Sequence, residues 1–417
     1  MSELAYNPTK MVQNDIDHTY DVELTPHNTI IQGNNLLFHI EGGSDWVDLA
    51  NTFLTVDIQM TDADGAGVES TTAAAPINNI FHSLWSQVQV VLKNSTISHP
   101  SPNYPYRAYI ENLLNFSAAS KNSWMKNHGF CLDQAGKFDD SSNTAIAKRR
   151  KPLEGKKIFK LKGKLCTDIG AQPLLIPSHT DIKFTLTPSP GDFLIQNFVT
   201  DKTFKITIVA AKLAVRKVKL YADRVVQFEK QIAKEPVRLP ISQVRVSTIS
   251  VAQGLTSFHQ NSIFSGELPT SVVVGLVANA SYTGTRDKNP FNFRHFDLSH
   301  IQLRVNDKLI PSIALTPDYT NSSYLRSYES LYRLVGRLGT DWDNGIDPAD
   351  YPQGFALYGF TLNNDTNCRH DDRVVLGHCD LSMKFTKSLP STVSVVLYSC
   401  TEASVIIDQH RNVLLDA

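Results

Sequence analysis

Short segments in which apolar and polar residues alternate recur along the chain from Asn28 to the C-terminus. Each is rich in β-branched or aromatic residues and ends in a cluster of Gly, Pro, Asn or Asp, the pattern of half-buried strands joined by turns. In one of these segments, Phe204, Ile206 and Ile208 would face the same side of a strand. The pattern predicts strands in both halves of the chain.

Helical periodicity is confined to three stretches, residues 106–116, 324–335 and, more weakly, 223–233. None of them alternates with apolar strands as a strand–helix–strand unit would, which counts against the parallel sheets of α/β enzymes. The sequence therefore predicts an all-β chain with a few short helices in its loops.

Three short features of the first half recur in the same order in the second half. Any one match could arise by chance, but the shared order favours a duplicated unit. Strand-rich units with long irregular insertions fit jelly rolls or sandwiches better than propellers. The matched features are residues 48–56 with 297–305, 107–109 with 326–328, and 183–185 with 384–386.

The chain has 417 residues, which is more than one hydrophobic core normally serves. A charged stretch at 221–235 separates two strand-rich blocks and predicts a connecting segment. Residues 1–27 are polar and predict either an arm that orders against neighbouring chains or an ordinary frayed terminus. The predicted division is an N-terminal arm at 1–27, a first strand-rich unit at 28–220, the connecting segment at 221–235 and a second strand-rich unit at 236–417.

Composition narrows the class of protein further. Lys and Arg number 40 and Asp and Glu number 41, a formal net charge of −1, so we predict little or no direct sequence-specific nucleic-acid binding. The five cysteines are widely spaced without a CxxC pair, which indicates reduced thiols in a protein made inside a cell. No secretory leader and no apolar run of about 20 residues is visible, and we predict no membrane span.

Few features of the sequence indicate a catalytic, nucleotide-binding or metal-binding site. The sequence has no GxSxG, HExxH, GxGxxG or P-loop motif, although a Ser/His/Asp triad stays open because its members can be far apart in sequence. One polar stretch holds several possible metal ligands, but a turn entering a strand explains it more simply. We predict no enzyme activity, no catalytic residues, no metal and no cofactor. That stretch contains His370, Asp371, Asp372, His378, Cys379 and Asp380.

The strongest charge feature is the run Lys-Arg-Arg-Lys at 148–151, followed by five lysines between 156 and 164. One interpretation is a genome-facing patch or a nuclear import signal. The other is a solvated loop that leads into a strand with lysines on its wet face. The second interpretation is favoured over DNA contact, and nuclear import stays open.

The predicted helices at 106–116 and 324–335 are rich in aromatic residues and carry arginine. Aromatic and arginine side chains are enriched at protein interfaces. A helix that caps the open end of its own barrel would also bury such residues. We predict that the inward side chains cap the barrel and that the outward ones contact other subunits.

Several stretches together resemble the major capsid (hexon-like) proteins of Maverick/Polinton elements and adintoviruses. The most specific lies at 269–307, with NPFNFRHFDL at its centre. The resemblance covers the chain from about Asn28 to the C-terminus. The other stretches are INNIFHSLWSQVQVVLKN (77–94), NYPYRAYIENLLNF (103–116), YLRSYESLY (324–332) and IIDQHRNVLLDA (406–417).

The resemblance implies a double jelly-roll protomer, so we predict that the units at 28–220 and 236–417 are two tandem eight-stranded jelly rolls with short loop helices. Three protomers would form a pseudo-hexagonal capsomer, and capsomers would tile an icosahedral virion capsid around double-stranded DNA, with penton or minor capsid proteins as further partners and possible nuclear assembly. The alternatives are a host-attachment or minor (penton or spike) virion protein, a carbohydrate-binding sandwich, and a cupin-type enzyme. The residues predicted to matter for structure or interfaces are Tyr106, Arg107, Tyr109, Tyr324, Arg326, Tyr328, Asn289, Pro290, Phe291 and Phe293.

Overall fold

The computed structural model of the protein describes residues 15–31, 33–362 and 376–416. Eight strands of the first half form two facing antiparallel sheets, with orders β1-β8-β3-β6 and β2-β7-β4-β5. We call this unit roll 1. Its strands are β1 (Ile16–Leu24), β2 (Leu36–Ile40), β3 (Trp46–Asp62), β4 (Trp85–Leu92), β5 (Ser95–Thr96), β6 (Phe159–Gly163), β7 (Ile182–Pro188) and β8 (Phe204–Leu220).

Roll 2 repeats this arrangement strand for strand. Its sheets have the orders β9-β16-β11-β14 and β10-β15-β12-β13, so each position is taken by the strand eight places later. The predicted fold of two tandem eight-stranded jelly rolls is confirmed. The strands are β9 (Val237–Val251), β10 (Ser257–Glu267), β11 (Ser271–Ala278), β12 (Leu298–Val305), β13 (Lys308–Leu315), β14 (Leu357–Thr361), β15 (Leu376–Phe385) and β16 (Val393–Ile407).

Period-two alternation builds the core of each roll. In β3, Leu54, Val56, Ile58 and Met60 are fully buried and alternate with partly exposed residues. Burial of each such side chain contributes roughly 1.5–3 kcal/mol. Residues 413–416 pair with the end of β16, and two separate two-stranded sheets pair residues 74–76 with 195–197 and residues 293–294 with 353–354.

The three predicted helices are present as α2, α7 and α9, and shorter helices join them in the loops. Those of four to seven residues are too short to show a 3.6-residue period. The helices of the described residues are α1 (Ile80–Ser83), α2 (Tyr104–Asn115), α3 (Ala118–Asn122), α4 (Thr144–Arg150), α5 (Asp168–Ala171), α6 (Gly191–Leu194), α7 (Ala222–Ile232), α8 (Asn279–Thr283) and α9 (Leu325–Leu334), with 3-10 turns at Trp124–His128 and Lys151–Leu153.

Two of the three repeated sequence features are equivalent in the fold. Residues 107–109 and 326–328 lie in the helix between the fifth and sixth strands of each roll, and 183–185 and 384–386 lie in or next to the seventh strand. The remaining match, of residues 48–56 with 297–305, is wrong. Residues 48–56 belong to the third strand of roll 1, whereas 297–305 lead into and form the fourth strand of roll 2, because alternating buried strands resemble one another.

The predicted arm also needs correction. Residues 16–24 form β1, which pairs along its length with β8, so this part of the chain is an edge strand of roll 1. Its side chains are mostly exposed, which is why the sequence lacks a clear apolar period there. The remaining division of the chain stays a prediction, with α7 inside the predicted connecting segment.

The rolls share buried surface. One hydrophobic cluster is confined to roll 2, but the larger cluster starts in roll 1 and continues into Leu239, Val273, Phe291 and Val405 of roll 2. Contiguous cores of this kind resist relative movement, because separating them would expose apolar surface to water. The interface between the rolls is therefore part of the fold.

A pair of buried histidines is expected to make roll 1 sensitive to acid. The rings of His82 and His128 lie 5.3 Å apart beside Phe81, and the Nδ1 of His82 is 2.9 Å from the Tyr104 hydroxyl. Burial lowers the pKa of His128 to about 4, and burial and the neighbouring His128 lower the pKa of His82 well below its usual value.

Both histidines must gain a proton when the chain unfolds in acid. Their pKa in the unfolded chain is about 6.5. The stability that the two neutral histidines contribute is therefore complete above pH 6.5 and is lost as the pH falls toward their pKa in the folded protein. Protonation of His128 alone is expected to lower the free energy of unfolding by about 2 kcal/mol at pH 5 relative to pH 7.5. Urea unfolding at both pH values measures this loss. The variant His128→Phe should show a smaller loss, and an equal loss would exclude His128 as its source.

Candidate functional site

The most heavily buried functional candidates lie where the two rolls meet. Helix α2 begins with Pro105 in its first turn, a position that suits proline. The helix buries nine of its twelve residues. One side packs on α1 and β4 of roll 1 and the other contacts β9 and β16 of roll 2. The helix therefore lies between the two rolls and packs against both.

An aromatic stack joins α2 to the segment Asn289–Phe293 of roll 2. The rings of Tyr109 and Phe291 are parallel, with centroids 4.1 Å apart. Tyr106 stacks on Tyr282 at 5.6 Å and meets Phe291 edge to face at 5.6 Å. The ring of Phe293 is also fully buried, 6.1 Å from Tyr109. These four predicted residues meet inside one chain, whereas the sequence predicted barrel capping or subunit contact for the residues of the helix.

A cluster of charged side chains lies at the same interface, beside the aromatic stack. The guanidinium of Arg107 donates to Glu111 at 2.9 Å and contacts Asp168 of α5 at 2.7 Å. Asp168 also accepts the backbone N–H of Val244 in β9 at 3.2 Å, and the Tyr398 hydroxyl of β16 donates to Glu111 at 3.4 Å. Burial raises the pKa of Asp168, and Arg107 opposes that rise. These contacts fix the angle between α2 and the first and last strands of roll 2.

A second ion pair anchors the Asn289–Phe293 segment. The carboxylate of Asp133 lies 2.6 Å from Arg149, and both side chains are almost fully buried. Asp133 also accepts from the side-chain amides of Asn78 (3.3 Å), Asn143 (2.9 Å) and Asn289 (3.2 Å). A buried ion pair of this kind needs such extra hydrogen bonds to offset desolvation. Pro290, the next residue, is buried as well.

The basic run at 148–151 is divided by the fold. Lys148 and Lys151 are exposed, whereas Arg149 and Arg150 are buried on the inner side of α4. Arg150 donates to the backbone carbonyls of Ser70 and Thr72. The expectation of a solvated loop is therefore wrong for the two arginines, which brace the loops of roll 1. Downstream, exposed lysines alternate with buried residues along β6, as the sequence predicted.

The predicted residues in α9 and directly before it are more exposed than those of α2. Tyr324 stacks on Tyr319 with ring centroids 5.5 Å apart, and the Tyr328 hydroxyl donates to the backbone carbonyl of Ile346 at 2.8 Å. Arg326 is exposed and donates to the carbonyl of Ile313 in β13 at 3.2 Å. Both tyrosines pack at the margin of the shared core.

The described residues contain no group of three or more His, Cys, Asp or Glu side chains that could hold a metal ion. Of the stretch noted in the sequence, Cys379 is buried and Asp380 accepts the N–H of Ser262 at 2.8 Å. His370, Asp371 and Asp372 lie outside the described residues. Within the same described part of the chain, every helix is too short or too polar to cross a membrane.

No protein-family model matches this chain. The uncharacterized protein F54H12.2 of Caenorhabditis elegans is 24% identical over 388 residues, which cover 89% of this chain and 90% of that protein.

The solved structures give the clearest similarity. A chain in the cryo-EM structure of the Sputnik virophage matches 99% of this chain and 91% of its own length, with a TM-score of 0.67 and 12% identity. The Faustovirus major capsid protein matches 99% of this chain and 92% of its own, with a TM-score of 0.60 and 8% identity. The mavirus major capsid protein matches 95% and 90%, with a TM-score of 0.57 and 11% identity. The chain therefore has the double jelly-roll fold of viral major capsid proteins.

Proposed function

We propose that this chain is a viral major capsid protein that forms homotrimeric, pseudo-hexagonal capsomers and assembles an icosahedral shell around double-stranded DNA. The observation that carries the proposal is the pair of eight-stranded rolls with one strand order, joined in one chain by a buried interface. Two similar rolls in each of three chains would provide six near-equivalent edges, which suits a tiling lattice.

Similarity to viral capsid proteins along nearly the whole chain supports a capsid role rather than attachment or catalysis. In this role the chain acts through its surfaces and has no reaction to catalyse. Its first partner is another copy of itself, and the vertices of a shell would add penton or minor capsid proteins. A penton protein is a weaker alternative because such proteins commonly have one jelly roll.

We also propose that the chain derives from a Maverick/Polinton element or an adintovirus. The residues at 269–307 support this origin. The C. elegans relative, which aligns over 90% of its length, fits an element carried in animal genomes. A capsid of this origin would be a virion component, and assembly in the host nucleus is part of the same proposal.

Assembly can be tested by negative-stain imaging of the purified protein concentrated at several salt concentrations. The expected products are particles of near-hexagonal outline that associate into sheets or shells as the concentration rises. A glycan-binding assay on the same preparation tests the attachment alternative. Specific sugar binding without any higher-order particle would overturn the proposal.

A further inference from the structure

Two buried histidines of roll 1 lie against each other beside α2. His82 belongs to α1, which packs on α2, on β6 and on the 3-10 turn that ends in His128. The two residues are only 1% and 6% exposed. Their rings meet edge to face at 5.3 Å, and the ring of Phe81 contacts both. A methyl group built on Gly163 of β6 would lie 2.5 Å from Nε2 of His128, so β6 closes the site on that side.

The hydrogen bonds around the pair suit neutral rings. The N–H of Cys166 donates to the Tyr104 hydroxyl at 3.1 Å, so that hydroxyl can donate its own proton to Nδ1 of His82, 2.9 Å away. The ring proton of His82 is then on Nε2. Within the described part of the chain, Nε2 of His82 and Nδ1 of His128 have no hydrogen-bond partner. A second proton on either ring would therefore place an unpaired charge among aromatic side chains, which is costly until the ring reaches water.

The other titratable groups that face the pair cannot balance such a charge. Helix α2 presents the Tyr104 hydroxyl, and the loop after β6 presents the Cys166 thiol, 3.9 Å from Nδ1 of His82. Burial raises the pKa of both groups well above their usual values, so both are neutral in acid. Strand β6 turns Leu161 and Gly163 inward. The lysines of β6 and of the 3-10 turn, which are Lys126, Lys160 and Lys162, are exposed.

The groups that bond His82 also hold roll 2 in place. Tyr104 is the first residue of α2, whose opposite side contacts β9 and β16. Cys166 lies two residues before Asp168, which pairs with Arg107 at 2.7 Å and accepts the N–H of Val244 in β9 at 3.2 Å. A shift of Tyr104 or of the Cys166 loop therefore displaces groups that cross the interface between the rolls.

We propose that His82 and His128 act as a pH switch for the contact between the two rolls. When a ring takes up a proton it moves toward water, and the start of α2 and the loop at Cys166 lose the hydrogen bonds that position them. His128 also contacts the ring of Trp124, which is 45% exposed, so it lies near the surface of roll 1. Roll 2 keeps its own hydrophobic cluster, which contains none of these residues. Since every group lies within one chain, the switch would act in a monomer and in a capsomer alike.

Hydrogen–deuterium exchange at pH 5 and pH 7.5, with labelling times scaled for the intrinsic exchange rate, tests this order of events. The pKa of His128 is about 4 in the folded protein and about 6.5 in a ring exposed to water. Protonation of His128 should therefore favour the open form roughly 30-fold more at pH 5 than at pH 7.5. We expect α2 and β9 to lose protection by that factor or more, while β12 and β15 keep theirs. Equal loss in all four segments, or no loss in α2, would contradict the switch.

The variant His82→Asn/His128→Phe removes both ionisable rings. The amide oxygen of asparagine can accept from Tyr104 as Nδ1 does, and phenylalanine keeps an aromatic ring in the place of His128. Protection of α2 should then change little between the two pH values. A variant that retains the loss seen in the wild-type chain would overturn the proposal. If the variant does not fold at pH 7.5, exchange of the wild-type chain still decides the question.

The matched control is His295→Asn in roll 2. Burial lowers the pKa of His295 as well, and its Nδ1 accepts the N–H of Asp297 at 2.9 Å, a bond that asparagine can keep. This histidine has no part in the contacts around α2, so the control should show the full loss of protection of the wild-type chain. A control that abolishes the loss would place the switch in roll 2 and overturn the assignment to His82 and His128.

Discussion

Replacing Asp133 with alanine should lower the free energy of unfolding by about 3–5 kcal/mol, the usual cost of breaking a buried ion pair. The Arg149 guanidinium would stay buried without its counter-charge, which lies at 2.6 Å in the intact protein. The amides of Asn78, Asn143 and Asn289 would lose an acceptor as well. Urea unfolding followed by tryptophan fluorescence measures the change.

A matched control separates this effect from loss of any surface ion pair. Asp21→Ala breaks the pair of Asp21 with Arg216, which is exposed, and should have a much smaller effect. The double variant Asp133→Ala/Arg149→Met should recover part of the loss, since no uncompensated charge remains. An Asp133→Ala variant no less stable than the Asp21→Ala variant would show that the pair does not hold the loops of roll 1.

Truncation of Phe291 to alanine should cost about 3–5 kcal/mol, because a fully buried aromatic ring leaves a cavity. The cavity would open against Tyr109, whose ring is parallel to that of Phe291 at 4.1 Å. A double-mutant cycle with Tyr109→Ala should give a coupling of about 0.5–1.5 kcal/mol. Leu414→Ala is the control, since that side chain is 62% exposed.

The same variant tests whether the rolls form one cooperative unit. With the stack intact, the shared core predicts one main thermal transition. Phe291→Ala weakens the interface and should broaden or split that transition in calorimetry, since each roll has apolar contacts of its own. A variant with unchanged stability and a single sharp transition would mean that the stack does not couple the rolls.

Much of the fold followed from alternation and turn residues. The strands whose buried and exposed sides differ clearly, such as β3 and β8, were predictable because their period is visible in the sequence. Edge strand β1 was missed since both of its sides are largely exposed. The mismatch of 48–56 with 297–305 arose because an Asp-Leu pair followed by alternation fits any buried strand.

The interface residues were only partly predictable. Tyr106, Tyr109 and Phe291 stood out as aromatic, but their shared position between the rolls depends on how loops far apart in sequence pack together. Asp133 and Asp168 carried no local signal at all, since their partners are set by tertiary contact. Arg149 was visible within a basic run, but it is buried, so its charge is not part of an exposed basic surface.

The most direct test of the capsid proposal is the native mass of the purified protein, measured by size-exclusion chromatography with light scattering, with negative-stain images of the same peak. A homotrimeric capsomer predicts a peak of three times the 46.4 kDa chain mass with a near-hexagonal outline. A well-behaved monomer at every concentration and salt tested would contradict the proposal.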